Sequence, residues 1–380
     1  MFQFTEDQLS IQELVRDYAQ SAIKPLADEI DKTGRFPREN VAGLVELGIL
    51  QLTIPEAYGG TGMDDEVAKC LAVSEVAKCC AATAEILDVH YLSTDILMRK
   101  GTEEQKERYL PRAARGELAG FALTEPGAGS DAGGLKTKAA RDGEDYILNG
   151  TKCFISNLGP EEGSHFVVVA VTEPGVGTKG TTAFLVDRSM PGVSCGKTED
   201  KMGIRGAAVS ELVLEDVRVP KSAVLGQLGE GFKIAMMGLD GGRIGIASQA
   251  CGVAYGALEE AVKYSGERVQ FGKPINANQG LQWYLAEMAT RADAAWLLTL
   301  RAAALRQRGL PCSTEAAMAK WYAAEAACFC CDTALQIHGG YGYMKDYAIE
   351  RMYRDARILR IYEGTSEVQK MVIARAVTKR

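Results

Sequence analysis

The feature that most constrains the fold is a pattern of apolar side chains that changes twice along the chain. Up to about residue 115 these side chains recur at helical spacing, as at Leu14, Val15 and Tyr18. Short β-branched and aromatic runs then follow to about residue 225, and helical spacing returns after Gly231. Because 380 residues exceed one ordinary core, we predict an α+β multidomain protein with three units: helical 1–115, a small barrel or sandwich 116–225, and a helical bundle 226–380.

Local signals place several boundaries within these units. Phe4 beside Thr5 and Gln8 is typical of a hydrophobic residue next to a helix capping box. Pro25 is expected to kink or end the first helix. Asn149-Gly150 predicts a tight turn between two strands. The C-terminal helices are predicted at 231–266, 278–309, 313–338 and 346–360, with a last one after Gly364.

Composition excludes several classes of function. A formal charge of −7 disfavours a general nucleic-acid-binding protein, which needs a basic surface. No apolar run reaches the ~18 residues that a membrane span requires, and the first residues lack a targeting pattern. The ten cysteines are expected to be reduced thiols, which fits a cytoplasmic protein. Cys328 and Cys331 have metal-site spacing, but without a second pair and with only three histidines we predict no metal site.

Four segments can contact a ligand, although each has an ordinary structural explanation. The glycine-rich loop 121–131 can bring backbone N–H groups close to a ligand, or can be a simple connection. Segments 268–274 and 336–343 equally suit helix ends. In segment 361–367, Glu363 is either a general base in an apolar cleft or an ordinary charge at a helix start. No G-x-G-x-x-G or G-x-x-x-x-G-K-[ST] pattern supports a Rossmann or P-loop fold.

Taken together, "LTEPGAGSD", "RVQFGKP", "QIHGGYGY" and "IYEGTSEVQ" resemble the acyl-CoA dehydrogenase family in order and spacing, over essentially the whole chain. The segments "KMGIRG" at 201–206 and "MMGLDGGRIGIA" at 236–247 are most similar to short-chain, butyryl-CoA dehydrogenase-like members. The resemblance implies an N-terminal helical domain, a middle β-barrel and a C-terminal four-helix bundle. It also implies a homotetramer with one FAD per subunit.

The resemblance further implies a set of binding residues. Asp240, Arg243 and Gly364 match substrate-binding positions, as does Ser130, which also contacts the cofactor. The implied FAD contacts within a subunit and across the tetramer are Phe121, Leu123, Thr124, Gly129, Ser130, Phe154, Ser156, Arg268, Phe271, Gln336, Gly340, Thr365 and Glu367.

The implied reaction is α,β-dehydrogenation of an acyl-CoA with a short-chain, branched or cyclic acyl group. Glu363 takes the α-proton and flavin N5 receives the β-hydride. The backbone N–H of Glu363 and a ribityl hydroxyl polarise the thioester carbonyl, an arrangement that stabilises a developing enolate. One sub-branch of the family carries its base at the position of Gly242. Because glycine cannot serve, the assignment of Glu363 stands.

The helix around 84–92 is expected to line the acyl cavity and carries Glu85 and Asp88, which lie three residues apart on one face. They either point to solvent or pair with basic residues, or they face the cavity. In the cavity, Asp88 would contact an unusual, possibly cyclic or unsaturated, acyl group or act as a second base. The lack of arginine in this helix disfavours a glutaryl-type decarboxylating enzyme.

Three functional classes follow from the resemblance. The leading one is a dehydrogenase that passes electrons to an electron-transferring flavoprotein. An acyl-CoA oxidase uses the same site, but oxidases are commonly much longer. A non-catalytic or nucleic-acid-associated relative would be expected to lack the base and to carry a basic extension, whereas this chain has Glu363 and a net negative charge.

Overall fold

The computed structural model describes residues 3–378. Its N-terminal part is helical, and Thr5 and Gln8 form the predicted capping box of the first helix. Pro25 lies in a 3-10 turn that follows a short π-helical segment (Ala19–Ile23) and separates the first two helices. The helices of this part are α1 (Glu6–Tyr18), α2 (Ala27–Thr33), α3 (Arg38–Glu46), α4 (Glu66–Cys79), α5 (Ala81–Lys100) and α6 (Glu103–Ala114).

The middle part is a sheet of eight strands. The strands are β1 (Ala119–Ala122), β2 (Lys138–Asp142), β3 (Asp145–Ser156), β4 (His165–Val171), β5 (Thr181–Asp187), β6 (Val193–Thr198), β7 (Val209–Val219) and β8 (Val224–Leu225). They pair in the order β6-β7-β3-β2-β4-β5-β8, and β1 pairs with β4 in parallel.

The predicted turn at Asn149-Gly150 is wrong, because β3 continues through both residues. The register of β3 against β7 shifts between Leu148 and Gly150, and Gly150 has a φ of 151°. A Cβ at Gly150 would lie 2.6 Å from Thr137 Oγ1. The glycine therefore permits a bulge in β3 and a close approach between β3 and the residue that precedes β2.

The C-terminal part consists of long helices with a small hairpin (β9, Val269–Gln270; β10, Lys273–Pro274) between the first two. The longest helix packs against α4 and α5 as well as against its C-terminal neighbours, so the two helical parts share one core. The helices are α7 (Gly231–Glu267), α8 (Gln279–Gln307), α9 (Ser313–His338), α10 (Ala348–Ala356) and α11 (Ser366–Thr378).

The predicted fold class of helical, β and helical parts is confirmed, whereas the predicted domain limits stay predictions. A second apolar cluster, which includes Leu92, Ile96, Val169 and Ile234, joins α5 and α7 to the sheet. No helix within residues 3–378 is long and apolar enough to cross a membrane.

Candidate active site

Two glycines of α7 make room for two carboxyl groups. A Cβ at Gly242 would lie 2.9 Å from Glu363 Oε2, and a Cβ at Gly245 would overlap Asp88 Oδ1. Residues three apart lie on the same face of a helix, about one turn from each other. Glu363 and Asp88 therefore approach neighbouring positions on one face of α7, although they are 275 residues apart in the sequence.

The backbone of Glu363 is held in an unusual conformation by buried polar groups. Glu363 has a φ of 51° and Gly364 a φ of 90°, and the left-handed region costs free energy for a non-glycine residue. Lys320 Nζ donates to the Gly364 carbonyl at 2.7 Å. Gln369 Nε2 donates to the carbonyls of Glu363 and Gly364 at 3.1 and 2.8 Å. These bonds fix the turn and aim the Glu363 side chain at Gly242.

The Glu363 carboxyl has the environment of a base that can hold a proton. Its Oε2 is buried and has no hydrogen-bond partner within the described residues. Burial raises the pKa of Glu363 to about 7, although the charges of Arg243 and Lys320 oppose the shift. Burial also lowers the pKa of Lys320 to about 8. A carboxyl that titrates near neutrality can exchange a proton with a weakly acidic carbon.

Asp240 and Arg243, both predicted to bind the CoA moiety, lie together on α7. Arg243 Nη1 donates to Asp240 Oδ1 at 2.8 Å, and the Ser313 hydroxyl donates to Asp240 Oδ2. Arg243 Nε is buried without a partner in the part of the chain that the structure describes. An arginine with a free buried donor next to the catalytic cleft suits an anionic or carbonyl-bearing ligand.

Glu85 and Asp88 are both buried, so the alternative that they point to solvent is wrong. Neither forms an ion pair with a lysine or arginine within residues 3–378. Glu85 Oε1 accepts from Ser156 Oγ at 3.0 Å, which links α5 to the end of β3. Burial raises the pKa of Glu85 to about 7, opposed mainly by the hydrogen bond from Ser156. Burial raises the pKa of Asp88 well above its usual value, and the Glu85 and Glu363 carboxyls add to the shift.

The glycine-rich loop is anchored by a buried ion pair that the sequence analysis did not identify. Lys152 is fully buried on β3; its Nζ contacts Glu125 Oε1 at 2.7 Å and donates to the Leu123 carbonyl at 3.0 Å. The Glu125 carboxylate also accepts from the backbone N–H groups of Lys136 and Thr137 at 2.7 and 3.0 Å. These contacts fix the start of the loop, at Leu123 and Glu125, against β3.

Five predicted cofactor residues belong to this loop or to the strand before it. Leu123 is buried, Phe121 and Thr124 are half-buried, and Gly129 and Ser130 are exposed. The Thr124 carbonyl accepts from the Cys153 N–H at 2.9 Å, which ties the loop to β3. A Cβ at Gly129 would meet nothing within 4 Å, so the exposed edge of the loop is open to a ligand.

Two predicted cofactor aromatics are exposed on strained backbone. Phe154 has a φ of 58° and is 65% exposed, and Phe271 has a φ of 51° and is 98% exposed. A large apolar ring in the left-handed region is costly to hold in water, and such outliers concentrate at ligand sites. Phe154 and Ser156 lie close together near the end of β3, where the register against β7 shifts and the Cys153 N–H bonds the loop. This arrangement fits a planar ring system against β3.

Two residues that are predicted to contact the FAD of a neighbouring subunit belong to a separate cavity. Arg268 and Gly340 line an open cavity of about 510 Å³ together with Tyr264 and His338. The Arg268 guanidinium lies 5.4 Å from the centre of the Tyr341 ring. Gln336 is exposed on the last turn of α9. These residues do not line the Glu363 cleft, as expected if they contact the FAD of a neighbouring subunit.

Thr365 and Glu367 lie at the start of α11. Thr365 Oγ1 accepts from the Val368 N–H at 3.3 Å, and Glu367 is exposed in the first turn of the helix. Its own backbone N–H and the Thr365 hydroxyl lower the pKa of Glu367. Such a terminus can bind phosphate or ribose oxygens. The roles of all these residues stay predictions.

The comparisons with known proteins match the whole chain. Profiles described as the N-terminal, middle and C-terminal domains of acyl-CoA dehydrogenase match residues 5–117, 120–217 and 229–378. The chain belongs to the acyl-CoA dehydrogenase family. It is 51% identical over 382 residues to an acryloyl-CoA reductase (NADH) of Anaerotignum propionicum, covering 100% of this chain and 96% of that one. It is 46% identical to the short-chain specific acyl-CoA dehydrogenase of Clostridium acetobutylicum, with 98% of each chain covered.

Solved structures of acyl-CoA dehydrogenase relatives share the fold. Butyryl-CoA dehydrogenase from Megasphaera elsdenii is 42% identical with a TM-score of 0.96, and both chains are covered completely. A chain from work on the electron transferring flavoprotein of Acidaminococcus fermentans is 44% identical with a TM-score of 0.97, again with full coverage. An acyl-CoA dehydrogenase complexed with FAD from Bacillus anthracis is 33% identical with a TM-score of 0.92, covering 99% of this chain and 67% of that one.

FAD is the cofactor of the acyl-CoA dehydrogenase family. The open loop edge at Gly129 and the exposed Phe154 ring fit the flat end of such a ligand against β3. The separate cavity at Arg268 has room for part of a second FAD molecule. No group of His, Cys, Asp and Glu side chains in the described part of the chain is arranged to hold a metal ion.

Proposed function

We propose that this acyl-CoA dehydrogenase family member interconverts a short acyl-CoA and its 2-enoyl-CoA, with Glu363 as the base at the α-carbon. The observation that carries the proposal is the Glu363 carboxyl, which is buried with an unpartnered Oε2 and fixed opposite Gly242. A base in this position needs both a raised proton affinity and a fixed direction. Burial raises the proton affinity of Glu363. The hydrogen bonds from Lys320 and Gln369 to the backbone of this turn fix the direction of its side chain.

The loop 121–131, Phe154 and Ser156 would hold the flavin end of FAD. Arg268 and Phe271 would reach the FAD of a neighbouring subunit, and Gln336 and Gly340 would contact the adenine end of that FAD. When bound, FAD accepts the β-hydride. Thr365 and Glu367 would contact its pyrophosphate and ribose side. Two exposed aromatics on left-handed backbone support these assignments, because a bound planar ligand would cover them.

The chain's own residues then bind and orient the thioester. Arg243 would bind the CoA moiety through its free Nε, and Asp240 orients the arginine by the 2.8 Å ion pair. The Glu363 N–H would donate to the thioester carbonyl while the Glu363 carboxylate removes the α-proton. Holding the reacting carbons between the base and β3 supplies the orientation that such a reaction requires.

Reduction of the enoyl-CoA is the second candidate for the physiological direction. The relative at 51% identity is an acryloyl-CoA reductase, and one site catalyses both directions. In reduction, protonated Glu363 would return the proton to the α-carbon. The pKa of about 7 suits either role.

The pH dependence is expected to differ in sign between the two directions. Oxidation requires the Glu363 carboxylate, so its kcat/KM should rise with pH up to about 7 and then level off. Enoyl-CoA reduction requires the carboxylic acid, so its kcat/KM should fall above the same pH. Single-turnover measurements between pH 5.5 and 9 with butyryl-CoA and crotonyl-CoA test this, and parallel profiles for both substrates would contradict the assignment.

Lys320 is predicted to tune and position the base. Replacing it by Met removes a positive charge beside Glu363 and the donor to the Gly364 carbonyl. We expect Lys320→Met to raise the pKa of Glu363, so that the rise of the oxidation profile shifts to higher pH, and to lower kcat. Lys320→Arg should restore the charge and part of the activity. An unshifted profile in an active Lys320→Met enzyme would show that the lysine only fills space.

The assembly and the electron partner are also proposals. We propose a homotetramer, since Arg268 and the 98% exposed Phe271 need a neighbouring subunit to complete a cofactor site. An electron-transferring flavoprotein is the proposed electron acceptor, supported by the 44% identical chain from work on such a flavoprotein.

The first experiment is an anaerobic visible titration of the purified protein with straight, branched and cyclic acyl-CoAs. Bleaching of the flavin band by one of them supports the reaction. Rapid reoxidation by oxygen would favour an oxidase, and a yellow protein that neither acyl-CoAs nor enoyl-CoAs affect would favour a non-catalytic relative.

A further inference from the structure

A small cavity with charged and apolar lining residues lies between α4, α5 and α7, beside Gly242. Asp88, Tyr91 and Leu92 of α5 line it together with Gly242 and Gly245 of α7. Its volume is about 20 Å³, and a site of roughly 10–15 Å³ suffices for one water-sized group. The cavity therefore has space for one small group beside Gly242, the glycine that Glu363 approaches.

The ions in the far wall of this cavity neutralise one another. Glu66 is 2.7 Å from Lys69 and 3.1 Å from Arg306. Asp95 pairs with Arg306 and with Arg99, the latter at 2.8 Å. These carboxylates consequently need no ligand, and the wall presents charges of both signs.

Asp88 differs from these carboxyls because it has no partner. It is 5% exposed and forms no hydrogen bond with the residues that the structure describes. Asp88 lines the cavity on the side of Gly245, so a ligand in the cavity would be the group that satisfies it.

The surroundings favour a neutral polar group over an ion. Because Lys69, Glu66 and Asp95 are already in ion pairs, the cavity offers no unpaired charge to a cationic or an anionic ligand. Burial and the neighbouring carboxyls favour the protonated form of Asp88. A neutral carboxyl both donates and accepts, which matches a hydroxyl group.

The geometry of α7 gives the position of that hydroxyl. Gly242, opposite the base, and Gly245, opposite Asp88, are three residues apart, which corresponds to about 4.5 Å along a helix. Three covalent bonds span about 3.8 Å in an extended chain. A hydroxyl three bonds beyond the α-carbon, on the fourth carbon of the acyl chain, would therefore reach Asp88.

We propose that Asp88 binds a hydroxyl group on the fourth carbon of a short acyl-CoA, so that the substrate class is the hydroxylated short-chain acyl-CoAs. This inference rests on the proposed function. The α-proton still passes to Glu363 and the β-hydride to FAD, and the hydroxyl is unchanged in the product.

The test compares 4-hydroxybutyryl-CoA with pentanoyl-CoA, in which a methyl group replaces the hydroxyl. Rates of anaerobic flavin reduction give kcat/KM for each. We expect the wild-type protein to prefer the hydroxylated substrate by about tenfold or more, as for one hydrogen bond to a buried group. Asp88→Leu should reverse the preference, and Asp88→Asn, whose amide also donates and accepts, should keep most of it.

Ser93→Ala is the matched control, because Ser93 is buried on the same helix and donates to the Val89 carbonyl, outside the cavity lining. Its preference should equal that of the wild type. Equal rates for the two substrates in the wild type, or faster reduction by pentanoyl-CoA, would overturn the inference even if Asp88→Leu fails to fold. Absence of any reaction with butyryl-CoA, crotonyl-CoA and both test substrates would instead overturn the proposed function.

Discussion

Replacing Glu363 by Gln is expected to lower kcat for butyryl-CoA oxidation by about 10²–10⁴-fold, the usual contribution of a general base. Glutamine keeps the size of the side chain and can occupy the space beside Gly242, but it cannot accept the α-proton. Binding of the thioester should persist because Arg243 and Asp240 are unchanged. The measurement is single-turnover flavin reduction at saturating substrate.

Two observations separate loss of the base from loss of structure. The Glu363→Gln protein should retain its flavin spectrum and its unfolding temperature, or should gain slightly in stability because no carboxyl needs to be buried. Glu259→Gln, on the exposed surface of α7, should leave kcat unchanged. Near wild-type turnover by Glu363→Gln would show that Glu363 is not the base and would favour Asp88 in that role.

The second large effect is expected from Lys152→Met. This change leaves the Glu125 carboxylate buried without its partner and removes the donor to the Leu123 carbonyl. Breaking a buried ion pair by removing one partner costs about 3–5 kcal/mol. Because the pair fixes the base of the loop 121–131, we expect both a lower free energy of unfolding and loss of FAD during purification.

The double variant Lys152→Met/Glu125→Gln tests whether the unpaired charge is the cause. The glutamine is neutral and can still accept from the Lys136 or Thr137 N–H, so part of the stability should return. Lys138→Met, an exposed lysine on β2, serves as the control and should change neither quantity. Denaturant unfolding and the ratio of flavin to protein absorbance are the readouts. An unchanged stability of the single variant would contradict the role of the pair.

The hypothesis that Asp88 acts as a second base stays a prediction. Asp88 and Glu363 approach positions one helical turn apart on α7, which is compatible with that role. Rates for Asp88→Asn that match the wild type on every accepted acyl-CoA would exclude it, whereas the preference for a hydroxylated substrate would survive the same change.

Repeating local patterns made much of the fold predictable. The capping box at Thr5 and Gln8 and the ends of α7, α8 and α9 follow from short-range signals, because helix caps and helical periodicity depend on residues a few positions apart. The turn predicted at Asn149-Gly150 was wrong because it, too, rested only on a short-range signal. A turn-forming pair also suits a bulge, and only the pairing of β3 with β7 decides between the two.

For the candidate site, too, local sequence determined some features and long-range contacts decided others. The sequence by itself determined the helical, β and helical order, the family and the residue types that could act as base or contact a cofactor, since these are carried by segments a few residues long. Tertiary structure alone decided that Lys320 and Gln369 hold the Glu363 turn, that Lys152 pairs with Glu125, and that Asp88 is buried without a partner. These facts depend on contacts between residues far apart in the chain, and burial, which shifts their proton affinities, exists only after the helices have packed.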